Sequence, residues 1–296
     1  MTNPTVGTDK DVLINHLVQK RLDKLSPQTF PTLEALAQYH NVAVIDNYMS
    51  FHPDTPREHA ETLLAPTVAN LWALAKAVHE DRQIAVLDVF SEQEQLDMWD
   101  AFVLCTQEYW SFCFHVFGFY LHRNFEGNYQ DWSNFSFSPR AKIASLEETL
   151  AHEDDEIVAA YYTLYDVTEE QAHEMFGEAK KWLWLCASSR QDRAEGVSAP
   201  KPRVDNDMLM LDEMWHLFMI FSDKYWRFCN RYFGAYIHHH PTTVAEKEDF
   251  GHQLFANRGK VLQELEEDDR AFYSYVYDKL GPATLLKWTT ESEMFA

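Results

Sequence analysis

Two stretches of the chain repeat one another without a gap. Trp99 to His122 reads WDAFVLCTQEYWSFCFHVFGFYLH and Trp215 to His238 reads WHLFMIFSDKYWRFCNRYFGAYIH, an offset of 116 residues with ten of 24 positions identical. Unrelated segments of this length would share about one or two. A chain that carries the same aromatic unit twice must bury two similar apolar faces. The pattern therefore predicts copies packed on each other with approximate twofold symmetry.

Within each copy the spacing is helical. Trp110, Cys113, Phe114 and Phe117 fall at i, i+3, i+4 and i+7, as do Trp226, Cys229, Asn230 and Phe233, which makes this stripe a core face and its cysteines packed thiols. Thr106 and Ser222 each follow an apolar helical run and stand where a cap of a second helix would, so the unit reads as helix, tight corner, helix. Gly118 and Gly234 are placed to end that second helix in a left-handed turn, with His122 and His238 on extended chain beyond and Pro241 blocking continuation.

The same period runs through most of the sequence, which has only nine glycines, and predicts an all-α, mainly helical protein. Asp11 to Leu25 reads as a helix, Pro66 as the first turn of another, and Ile84 to Phe90 as a short strand or extended linker. Ser91-Glu92-Gln93-Glu94 matches a capping box. Glu153-Asp154-Asp155 and Glu267-Asp268-Asp269, each ahead of a tyrosine-rich stretch, extend the repeat weakly. Ser188 to Asn206 is rich in Ser, Pro, Gly and charge and reads as a linker. The expected organisation is an N-terminal helical region over 1–90, one copy over 91–187, the linker over 188–206 and the second copy over 207–296.

Composition narrows the function. With 25 Lys plus Arg against 47 Asp plus Glu, the formal charge is −22, which repels nucleic acid and anionic membranes; it reads first as a solvated acidic surface and is also compatible with a basic peptide, a partner protein or metal cations. The most apolar run, Tyr109 to Leu121, is too short for a membrane span, and MTNPTVGTDKDV has no secretory pattern. Four cysteines without a C-x-x-C pair suit a reducing compartment, so a cytoplasmic location is expected.

Chemistry is sought where the copies differ. Glu213 replaces Asp97 and His216 replaces Asp100, and the second copy ends in His238, His239 and His240. Glu213 and His216, three apart on a helix, form the E-x-x-H arrangement that helical bundles use for iron or manganese. Asp97 and Asp100 offer a carboxylate pair from the equivalent helix, and His238 a further nitrogen. Such a mixed oxygen and nitrogen set suits iron, manganese or zinc. The spacing alone is weak, since His173 and His252 also follow an acidic residue by three, and a hydrogen-bonded structural histidine is the competing reading for His216.

Trp215, His216, Phe218, Tyr225, Cys229, Phe233, Gly234, His238, His239 and Pro241 form a pattern that resembles the glycine-rich domain-containing protein-like family of plants and bacteria. The glycine-rich tail of the plant proteins is missing from this sequence, and Asp100 departs from the family's histidine in the first copy. The resemblance covers about thirty residues. It implies a helical domain and draws attention to His216 and His238.

Three functions follow as expectations. The first is a metal-dependent enzyme, of the non-haem iron oxidoreductase kind, with Glu213, His216, His238, Asp97 and Asp100 as ligands and Trp215, Tyr225 and Trp226 holding an organic or peptide substrate. The second is a non-catalytic module that binds a basic peptide or partner protein. The third is a haem binder, suggested by 15% aromatic residues and 14 histidines.

Overall fold

The structure is a computed structural model and describes residues 30–80, 82, 85–123, 137 and 142–290. All regular structure among them is helical. The helices are α1 (Leu33–Leu36), α2 (Val42–Phe51), α3 (Arg57–His79), α4 (Val86–Val89), α5 (Gln93–Leu104), α6 (Thr106–Phe112), α7 (Leu146–Leu150), α8 (Asp155–Leu164), α9 (Glu169–Ala194), α10 (Leu209–Ile220), α11 (Ser222–Phe233), α12 (Val244–Ala256), α13 (Arg258–Leu280) and α14 (Pro282–Thr289). The expected helix over Asp11 to Leu25 lies outside the described residues.

Each copy is the helix, corner and helix that its pattern predicts. The corner residues Cys105 and Phe221 hold nearly the same backbone angles, φ −76°, ψ 66° and φ −76°, ψ 62°. Beyond the corner the indole N–H of Trp99 donates to Tyr109 Oη at 2.9 Å, and Tyr109 donates to the Leu121 carbonyl at 2.6 Å. Trp215, Tyr225 and Ile237 repeat this relay at 3.1 and 2.8 Å. The tyrosine bolts the returning strand of chain to the first helix, so the identical residues of the repeat fix one geometry twice. Gly118 and Gly234 adopt φ 81° and 65°, the left-handed region that a side chain would strain. The copies differ at that end: Cys113–Phe117 is a single π-helical turn, whereas α11 stays α-helical to Phe233.

The copies share one core. The Trp110 and Trp226 rings stack at a centroid distance of 4.6 Å and 1° between planes, a contact worth about 1 kcal/mol beyond its buried area. Around it the contacts are reciprocal. Ser222 Oγ accepts from Arg123 N at 2.8 Å, and Thr106 Oγ1 accepts from His239 N at 2.9 Å. This corrects the expectation that these hydroxyls cap their helices. Thr106 and Ser222 are the first residues of α6 and α11, where their own hydroxyls find better partners on the opposite copy.

Other local readings also give way. Pro66 sits inside α3, which begins at Arg57; the buried Leu63, Leu64, Val68 and Leu71 on both sides of it hold a helix that local propensity would end. The described part of Ile84 to Phe90 contains a helical turn, α4, instead of a strand. Glu92, not Ser91, precedes α5, and Glu94 reaches His59 at 3.2 Å, so the capping box does not form. Asp154 caps α8, but Glu267 to Asp269 lie within α13, which ends that part of the repeat. The linker's first residues, Ser188 to Ala194, complete α9.

The N-terminal helices cover the first copy, with α2 and α3 packed on α5 and Asn47 Nδ2 donating to the Ala101 carbonyl at 2.8 Å. Helices α8 and α9 cover the second by packing on α10. Because α5 and α10 also touch each other, the exposed edges of these two helices, with α2 and α8 on either side, border a cleft.

Candidate metal centre

Helix α10 buries Leu211, Met214, Trp215, Phe218 and Met219, and this leaves Asp212 and His216, one turn apart, on its remaining edge. The chain then turns at Phe221, runs through α11, reverses at Gly234 and returns extended. Successive side chains of an extended segment point opposite ways, so only one of His238 and His239 can face α10. His239 does. Its Nε2 stands 3.2 Å from His216 Nε2, and Asp212 Oδ2 lies 3.5 Å from the same His216 nitrogen. One ligand atom from each of Asp212, His216 and His239 falls within 4.8 Å of the other two, the one such metal-competent group among the described residues.

The first copy holds His239 in place. Leu104 ends α5, and the corner after it leaves its carbonyl free to accept from His239 Nδ1 at 2.9 Å. A carbonyl can only accept, so Nδ1 carries the proton and Nε2 presents a lone pair toward His216. Thr106 grips the same residue's backbone from both sides, accepting from its N–H and donating to its carbonyl at 2.9 Å each. Burial lowers both imidazoles to about 4, with His216 adding to the effect at His239, so both are neutral near pH 7. Burial raises the Asp212 carboxyl.

These positions fit a single ion. Two nitrogens 3.2 Å apart can both lie about 2.1 Å from one metal at an angle of roughly 100°, between octahedral and tetrahedral values. Without an ion, His216 must donate its Nε2 proton to His239. Asp212 Oδ2 beside that nitrogen favours the same tautomer, which leaves the buried Nδ1 without a hydrogen-bond partner among the described residues.

Of the triad, His216 lines a cleft of about 760 Å³, while Asp212 and His239 stand behind it. Glu213, Asp97 and Asp100 line it, as the sequence comparison of the copies suggests, together with His216 itself. Their roles differ from expectation. Glu213 Oε2 accepts from the Tyr165 hydroxyl at 2.6 Å and is drawn to that side of the cleft, so Asp212, its neighbour in sequence, is the carboxylate that meets His216. Asp97 accepts from Gln93 at 2.7 Å and faces His52 at 3.7 Å. Asp100 is paired with Arg123, whose Nε lies 2.7 Å from Oδ1. His238 leaves the site, its Nδ1 3.2 Å from Thr106 Oγ1 and its ring edge on Trp110.

Trp215, Tyr225 and Trp226 do not line the cleft. They are 5%, 0% and 1% exposed and belong to the core. The apolar wall comes instead from Phe51, Ala160, Leu164, Leu217, Ile220 and Phe221. Asp212 and His239 are the residues that sequence reasoning missed. The i, i+4 spacing of Asp212 and His216 was a usable signal, and the histidine triplet contained His239 without showing which member turns inward.

A model of the UCP032817-like family matches residues 151–254, a span that includes α10, α11 and all three members of the triad. No curated protein and no solved structure matches the chain.

Proposed function

We propose that the protein is a metal-dependent enzyme whose centre is Asp212, His216 and His239, a two-histidine, one-carboxylate set of the kind that non-haem iron oxidoreductases use. The observation that carries this reading is the pair of neutral imidazole nitrogens 3.2 Å apart with a carboxylate oxygen beside them. Three protein ligands leave coordination positions for water or substrate, and His216, which lines the cleft, gives the centre its open side, as a reactive site needs and a closed structural one lacks. A bound ion would supply Lewis acidity or, as iron, electron transfer at that open side. The chain's own part is to hold the donors: Leu104 fixes the His239 tautomer, and the helix fixes Asp212 against His216. The cleft's carboxylates favour this reading over haem, whose flat faces need apolar walls on both sides.

The reciprocal contacts around Trp110 and Trp226 support a further part of the proposal, that the duplicated unit is a twofold framework in which one copy orients the ligands of the other. Cobalt(II) titration tests the assignment. Wild type should show the visible bands of imidazole-bound cobalt at one equivalent, His239→Ala should lose them, and His238→Ala should keep them. Bands lost in His238→Ala and retained in His239→Ala would refute it.

A further inference from the structure

We infer that the cleft beside the triad binds an organic ammonium ion with an apolar body, recognised by Asp97 and Glu213. The inference deepens the proposed function and rests on it in taking this cleft as the route by which substrate meets the ion.

The argument is one of unmatched charge. Four carboxylates line the cleft, those of Asp97, Asp100, Glu156 and Glu213, against one cationic side chain, Arg123. Two are matched by cations. Arg123 holds Asp100 at 2.7 Å, and Lys224, from α11, holds Glu156 at 2.5 Å. Asp97 and Glu213 have no ion pair with Lys or Arg among the described residues. They occupy equivalent positions of the two copies, on α5 and α10. Their neutral donors, Gln93 and Tyr165, fix one oxygen of each, and beyond them Asp97 faces only the His52 ring at 3.7 Å, so neither carboxylate meets a permanent protein cation among the described residues.

A divalent ion on the triad, offset in part by Asp212, would contribute one net positive charge against the two of Asp97 and Glu213 and so leave a negative excess in the cleft. Carboxylates beside apolar walls concentrate a negative potential in the cleft, which draws cations and rejects anions. Phe51, Leu164, Leu217, Ile220 and Phe221 supply those walls, and the cavity has room for a ring or short alkyl chain. A small inorganic cation would use the carboxylates and leave the walls bare; an ammonium ion with a hydrocarbon body uses both.

The test is calorimetric titration of the full chain, loaded with zinc as a redox-silent stand-in, with benzylammonium, benzyl alcohol and benzoate at one ionic strength. Zinc content is measured in the same samples. Benzylammonium should bind at least about tenfold more tightly than benzyl alcohol, and benzoate most weakly of the three. Asp97→Asn and Glu213→Gln should each weaken the ammonium about tenfold at unchanged zinc content, while Glu248→Gln, on the exposed helix α12, should change nothing. Benzoate binding as tightly as benzylammonium would overturn the substrate class and leave the metal centre standing. A second zinc equivalent that disappears in Asp97→Asn would overturn it too, by assigning the carboxylates to an inorganic ion. Ammonium selectivity in a chain that takes up no zinc would support the class and overturn the metal centre, so the two failures are told apart.

Discussion

Three equivalent positions of the two copies carry Leu96, Asp100 and Arg123 in one and Asp212, His216 and His239 in the other. Both copies bring the second and third of these together by the same corner, reversal and tyrosine bolt. In the first copy the result is a closed ion pair: the Arg123 guanidinium rests on Trp99 at 5.0 Å and meets Asp100 at 2.7 Å, a protein cation neutralising a protein anion. In the second, the His239 ring rests on Trp215 at 5.1 Å and meets His216 at 3.2 Å with Asp212 alongside. That arrangement has donors and no cation. One scaffold thus carries its positive charge as a side chain in one copy and, on our proposal, acquires it as a metal ion in the other.

The sharpest way to break this comparison is to exchange the pairs. His216→Asp with His239→Arg should abolish metal binding entirely while circular dichroism and cooperative melting persist, because the exchange installs the first copy's ion pair on the same scaffold. Metal retained at full stoichiometry would show that the triad is not the site. The reverse exchange, Leu96→Asp with Asp100→His and Arg123→His, should add up to one further equivalent of cobalt.

The shared interface gives the next largest effect. Trp226→Ala should cost about 3–5 kcal/mol in denaturant unfolding, through lost burial and the cavity it leaves between the copies. Asp100→Ala should cost less, about 2–3 kcal/mol, since Arg123 is only 13% exposed and would lose its carboxylate but keep its contact with Trp99. A loss as large as that of Trp226→Ala would mean that the ion pair within the first copy contributes as much to stability as the aromatic stack between the copies.

The smallest effect is pH dependence. Burial pushes His122 down to about 3, with Arg227 adding to the effect, and burial also lowers His152. The unfolded chain binds these protons near pH 6.5, so the unfolded state gains protons first and stability falls as pH drops from about 6.5 towards 3. His122→Gln should flatten the slope of melting temperature against pH between 6.5 and 4.5. An unchanged slope would place the acid lability elsewhere.

What could be read in advance divides along physical lines. The aromatic stripe, the two glycine turns and the all-helical class were legible because they depend on periodicity and backbone conformation, which neighbouring residues determine. Thr106 and Ser222 were misread because a hydroxyl at a helix start has two uses, and the choice between them depends on a partner more than ninety residues away. Pro66 was misread because burial on both sides overrides a local break. The candidate site was half legible. His216 and the cleft carboxylates followed from comparing the copies, whereas the exchange of His238 for His239 turned on the direction of side chains along an extended return. Trp215, Tyr225 and Trp226 looked like a binding pocket only because large aromatics serve cores and clefts alike.

The central claim is tested most directly by elemental analysis of untagged protein purified without metal-affinity resin, before and after anaerobic reconstitution with iron(II), manganese(II) or zinc(II). The account predicts close to one equivalent of metal per chain, lost in His216→Ala and in His239→Ala. Metal-free protein that takes up none on reconstitution would contradict it, and would leave His216 and His239 as a structural hydrogen-bonded pair.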